Sequence, residues 1–125
     1  MSPSSEVSTS DPLYSLAHLT LIGCTPAELV YIAARAGYDA VSPRFIQMHV
    51  PGEFTQSPID SAQVQATKTA LETTGLKVLD VELARVTEDC NPRDFERALE
   101  LGGELGAKHM IMSAWTQTRD DRNFL

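Results

Sequence analysis

Gly75-Leu76-Lys77-Val78-Leu79-Asp80-Val81-Glu82-Leu83-Ala84 is the stretch that decides the fold of this chain. A glycine that can adopt the left-handed conformation ending a helix is followed by an apolar run of strand length, and two acids stand inside that run. Side chains alternate across a strand, so Leu79, Val81 and Leu83 share one side while Val78, Asp80, Glu82 and Ala84 share the other. In a parallel sheet covered by helices, the helix-facing side is apolar. Leu79, Val81 and Leu83 are therefore expected to meet helices. Asp80 and Glu82 are expected to point into whatever the far side of the sheet encloses.

Outward from this run, one pattern of punctuation recurs. A capping residue, a proline, any residue and an acid open at Thr25-Pro26-Ala27-Glu28, Ser57-Pro58-Ile59-Asp60 and Asn91-Pro92-Arg93-Asp94, and a glycine closes each unit at Gly37, Gly75 and Gly106. Each opening offers a side-chain oxygen to a free backbone N–H, a proline where the missing N–H costs nothing, and an acid at the positive helix end. A fourth opening reads Thr118-Arg119-Asp120-Asp121. The spacing predicts helices over 26–36, 58–74 and 92–105, with strands over 16–22, 38–45, 76–84 and 107–114. One helix face collects Leu29, Ile32, Ala33 and Ala36, the next Val64, Thr67 and Leu71, and the third Phe95, Ala98, Leu99 and Gly102. Residues 47–56 have no helical period and read as a long loop or lid. Strands alternating with one-sided helices through short connections favour right-handed crossovers and a parallel sheet, so the class is α/β.

The other strands sort in the same way. Leu19 and Leu21 are expected against helices, with His18 and Thr20 inward. Val41 and Phe45 are expected outward, with Ser42 and Arg44 inward. Met110 and Met112 are expected outward, with Ile111, Ser113 and Trp115 inward. A doubly wound sheet is apolar on both faces. A polar inner side argues instead for a sheet curling into a barrel.

Composition narrows the classes of function. The chain has 125 residues, 42% hydrophobic and 22% charged, as one ordinary globular domain would. No apolar run approaches the roughly 20 residues that cross a bilayer, so no membrane partner is expected. Residues 1–12 are polar and serine-rich without a basic or apolar leader region, and read as a disordered tail ahead of a domain over 13–125. A cytoplasmic location follows as the default. Cys24 and Cys90 have no paired spacing and read as free thiols. A net charge of −7 argues against nucleic-acid or anionic-membrane surfaces. A small anionic substrate stays open, since one arginine can bind it locally.

Three segments carry a family likeness: Ala34-Arg35-Ala36-Gly37-Tyr38-Asp39-Ala40-Val41-Ser42-Pro43-Arg44, Gly75-Leu76-Lys77-Val78-Leu79-Asp80-Val81-Glu82, and the run over 101–113 with its Leu105-Gly106-Ala107-Lys108. In these, and in the order of elements over about residues 14 to 125, the chain resembles the sugar phosphate isomerase/epimerase family of xylose isomerase-like barrels. The resemblance implies the N-terminal half of a (β/α)8 TIM barrel: four β/α units, the last broken off in its helix, against the roughly 250 residues of a whole barrel. It also implies proton or hydride movement between adjacent carbons of a sugar or keto acid, in carbohydrate metabolism. The helper would be a divalent metal such as manganese, magnesium or cobalt, held mostly by later strands outside this chain. Four units alone are expected to be inactive.

Each candidate site residue has two readings. Glu82, at the carboxyl end of an inward strand, is a catalytic candidate or else a structural carboxylate paired with Arg44 or Arg85. His18 could work as an acid/base or orient a hydroxyl, or it could be a satisfied core histidine. Arg44 could clamp a phosphate or carboxylate, or it could pair with Asp80 or Glu82. Ser113 and Trp115 are candidates for substrate contact, Trp115 by stacking on a sugar ring, though an aromatic there can simply close the core. His49 has no partner at ligand spacing and His109 reads as structural. No phosphate loop, nucleophile elbow or HExxH motif is present. Two alternatives to an isomerase remain. An apurinic-site endonuclease-like hydrolase shares the barrel but needs more histidines and a basic rim. A non-catalytic half-barrel would associate with another chain, in a homo-oligomer for example, through exposed sheet edges.

Overall fold

The structure, a computed structural model, describes residues 11–115. Most of the expected tail, and the opening at Thr118, lie outside them. Helix α1 spans Pro26–Ala36, where the sequence places it. Thr25 Oγ1 accepts from the Glu28 N–H at 3.3 Å and Glu28 Oε1 accepts from the Thr25 N–H at 2.8 Å, a complete capping box. Gly37, Gly75 and Gly106 all have positive φ, as the three closures require. The buried face of α1 differs from the expected stripe. Ala27, Leu29, Val30 and Ala33 are buried, whereas Ile32 and Ala36 are exposed. The helix packs against α2 as well as the sheet, and this turns its buried arc toward Val30.

Helix α2 spans Ser61–Thr74, three residues shorter than expected. Ser57 to Asp60 forms a turn, and Asp60 is itself the cap, accepting from the Gln63 N–H at 3.1 Å. Val64 and Thr67 are buried as expected and Ala70 joins them. The Thr67 hydroxyl donates to the Gln63 carbonyl at 2.9 Å, which satisfies it inside the core. The third opening starts with a 3-10 helix, Pro92–Phe95, capped by Asn91, and continues as α3, Glu96–Glu104. Leu101 is fully buried there, and Leu99, expected on the inner face, is exposed.

Five parallel strand segments complete the fold: β1 Ser15–Ala17, β2 Ala40–Ser42, β3 Lys77–Val78, β4 Val81–Val86 and β5 Met110–Ala114. β1, β2 and β3 form one ladder in that order, β4 and β5 another. A parallel bridge between Arg44 and Glu82 joins them, with the Phe45 N–H donating to the Glu82 carbonyl at 3.1 Å and the Glu82 N–H to the Pro43 carbonyl at 2.9 Å. The protein is thus α/β with parallel strands. One core takes Leu16, Val41, Phe45, Val78 and Val81 from the sheet side and residues of all three helices.

Strand expectations are corrected on β1, on β3 and β4, and on β5. The strand expected over 16–22 ends at Ala17, and His18–Leu21 turns into a 3-10 helix, leaving Leu19, Thr20 and Leu21 exposed rather than alternating. The run over 76–84 is not continuous but breaks at Leu79-Asp80. Val78 lies level with Val41 and joins the core, whereas Leu79, expected against helices, is 42% exposed. Strict alternation would put Val78 and Val81 on opposite sides. The two-residue break lets both face the helices, and apolar burial at both positions favours it. On β5, Met112 is exposed and Met110 only half-buried.

Candidate functional site

Arg44, just past β2, is the centre of the candidate site. Its side chain is almost wholly buried between two carboxylates, with Nη1 3.5 Å from Glu53 Oε2 and Nη2 3.8 Å from Glu82 Oε1. The bridge to Glu82 places both residues on the same face, opposite Val41 and Phe45, and Ser42 joins Ser15 on that face through a 3.0 Å hydroxyl contact. So the expected orientation of Ser42, Arg44, Val41, Phe45, Val81 and Glu82 matches the structure. Arg44 Nε and Asp80 Oδ1 are buried and have no hydrogen-bond partner among the described residues.

Glu53 was not singled out by sequence reasoning, because it sits in the aperiodic stretch 47–56. The loop closes on this acid. Glu53 accepts from the N–H groups of Met48 at 3.0 Å and His49 at 2.6 Å. Burial alone would raise its carboxyl, but the N–H groups of Met48, His49 and Val50 and the Arg44 side chain together hold it below the ordinary range. Its neighbour Phe54 is buried and stacks on His18, ring centroids 5.0 Å apart. The one available signal was an acid beside Gly52 with an aromatic after it. That spacing has no helix or strand meaning.

Glu82 stands near the start of β4, which runs on to Val86, and not at the carboxyl end of its strand as expected; its carboxyl moves in the opposite sense to that of Glu53. Burial pushes its carboxyl up, and Asp80 adds to this, against the pull of Arg44 and of the Leu19 N–H, which donates to Oε1 at 3.2 Å. A buried carboxyl whose pKa is raised holds its proton more readily than an exposed one, which suits it to proton transfer.

His18 is buried with both ring nitrogens engaged. Nδ1 accepts from the Arg44 backbone N–H at 2.9 Å, and Nε2 therefore carries the proton and donates to the Cys24 carbonyl at 2.7 Å. Burial, then the nearby Arg44, lowers its pKa against the hydrogen bond to Cys24, in the same direction as the neutral tautomer that the two hydrogen bonds require. In this arrangement His18 fixes the backbone of Arg44. Taking up a substrate proton would break one of these bonds. The Cys24 thiol, raised by burial and by Glu28, donates to the Leu21 carbonyl. Cys90 is also a free thiol.

Ser113 and Trp115 lie apart from this cluster, at the end of β5. The Trp115 indole N–H donates to Ser113 Oγ at 2.7 Å, and the Arg85 guanidinium carbon stands 4.3 Å from the centre of the Trp115 ring. Arg85 thus pairs with Trp115 and not with Glu82.

The described residues do not fit a divalent metal. No group of three His, Cys, Asp or Glu among them is placed to hold one, and the two carboxylates that converge already flank a guanidinium. Among the described residues no helix is long and apolar enough to cross a membrane. No protein-family model matches the chain, and no curated protein matches it.

Proposed function

We propose that the chain forms the substrate-positioning part of a sugar phosphate or keto-acid isomerase/epimerase, built from the first four β/α units of a (β/α)8 barrel. The observation that carries this reading is the two-sidedness of the sheet. Residues of all three helices share one core on one face, while Arg44, just past the carboxyl end of β2, meets Glu82 on the other. Barrels of this kind place their chemistry at that end. Glu82, its carboxyl raised by burial, would exchange a proton with the carbon next to the substrate carbonyl. Arg44, held by His18 and Glu53, keeps Glu82 in place. Any metal would take its ligands from outside the described residues.

The test uses the protein as its own cell makes it, because four units by themselves are expected not to turn over. Proton nuclear magnetic resonance follows incorporation of solvent deuterium beside the carbonyl across a panel of ketose phosphates and keto acids. Glu82→Gln is expected to slow exchange at least about 100-fold. Absence of exchange with every substrate, or exchange indifferent to this substitution, overturns the reading.

A second reading has its own observation. Leu13 and Tyr14 beside β1, and Ile111, Met112 and Trp115 on or beside β5, are exposed at the two outer strands among the described residues. Such edges suit pairing with another chain.

A further inference from the structure

Arg44, just past β2, and Arg85, near the carboxyl end of β4, spend their charges differently. Arg44 lies between two carboxylates and has none of its charge left for a ligand. Arg85 pairs with no carboxylate among the described residues. Its guanidinium rests on the Trp115 ring, and its Nε is buried without a hydrogen-bond partner among the described residues.

The platform around Arg85 is fixed from three directions. Arg85 and Ser113 are register partners across the β4–β5 ladder. The Trp115 N–H donates to the Val86 carbonyl at 2.7 Å and carries the ladder one residue past β5. The indole N–H is tied to Ser113 Oγ. The indole is nevertheless 52% exposed. A planar fork with no carboxylate partner among the described residues lies against a large, half-open aromatic surface, in a chain of net charge −7 where such cations are few.

We propose that Arg85, Trp115 and Ser113 form a binding subsite for a sugar derivative bearing a carboxylate or phosphate. The indole would receive the C–H-rich face of the carbon skeleton, and the guanidinium would hold the anionic group through two parallel hydrogen bonds. The anion-clamping role that the sequence suggests for Arg44 passes to Arg85. This rests on the strand carboxyl ends being the substrate face, as in the proposed function, and not on turnover.

Trp115 is the only tryptophan of the chain, so its fluorescence reports directly on the subsite. The chain is titrated with glucose 6-phosphate, glucuronate, glucose and inorganic phosphate. Saturable changes in emission are expected with the first two, at concentrations at least about tenfold lower than with glucose or phosphate alone. The stronger of the two identifies the anion. Arg85→Gln is expected to weaken binding at least about tenfold with the circular dichroism spectrum retained. If that variant does not fold, Arg85→Lys, which keeps the charge without the fork, is expected to weaken binding about fivefold. No saturable change with glucose 6-phosphate or glucuronate, or affinity indifferent to the substitution that folds, overturns the proposal. Phosphate binding as tightly as glucose 6-phosphate overturns its carbohydrate part. Binding without deuterium exchange would remove the catalytic reading and leave this one, and exchange with no dependence on Arg85 would do the reverse.

Discussion

Glu53 and Glu82 touch the same guanidinium and are shifted in opposite directions, and this has a measurable consequence. Glu82 titrates above its unfolded value, so the folded state holds its proton longer. Its contribution to stability is full below the unfolded value and is lost as pH rises through the raised one. Glu53 titrates below its unfolded value. Its contribution is present above the unfolded value and lost as pH falls through the depressed one. Urea unfolding of Glu82→Gln and Glu53→Ala against the unaltered chain, from pH 3 to 7, is therefore expected to diverge. The glutamine variant gains relative stability as pH rises, while the alanine variant loses it, reaching a deficit of about 3 kcal/mol near neutrality as a buried ion pair loses one partner. Curves that run parallel would contradict the assignment. Of these two acids only Glu82 was legible in the sequence, through strand alternation. Glu53 is brought to Arg44 by a loop whose path follows from Phe54 packing on His18.

At the scale of elements, capping chemistry reads reliably because it is local. Thr25 and Asn91 cap where expected, whereas Ser57 yields to Asp60, three residues on. Faces read less well, since they depend on neighbours. Ile32 and Leu99 carry the right spacing yet are exposed, and Val30 and Leu101 are buried in their stead. The adjacent glycines of α3 test how tightly that helix meets β4. A Cβ on Gly102 would stand 3.2 Å and 3.3 Å from the two methyl groups of buried Val81, and a Cβ on Gly103 would meet nothing within 4 Å. Gly102→Val is expected to destabilise the fold by about 1 to 3 kcal/mol through overpacking. Gly103→Ala is expected to stabilise it by up to about 1 kcal/mol through helix propensity. Chemical denaturation of the two variants checks both signs, and a tolerated valine at 102 would mean that α3 is not seated on Val81.

For the whole molecule, the exposed outer strands predict self-association. Sedimentation velocity over a range of concentrations is expected to show species larger than a monomer, and Met112→Lys on β5 is expected to reduce them, since a lysine on an edge strand opposes pairing. A monomer at every concentration would remove the edge-pairing reading. The sequence by itself determined the α/β class, the helix openings, the left-handed glycine closures and the inward aim of Arg44 and Glu82, because each follows from contacts within a few residues or from the twofold repeat of a strand. Tertiary structure alone decided the break at Leu79-Asp80, the rotation of the helix faces, the arrival of Glu53 and the pairing of Arg85 with Trp115. These depend on which distant surfaces are buried together, and local spacing carries no record of that.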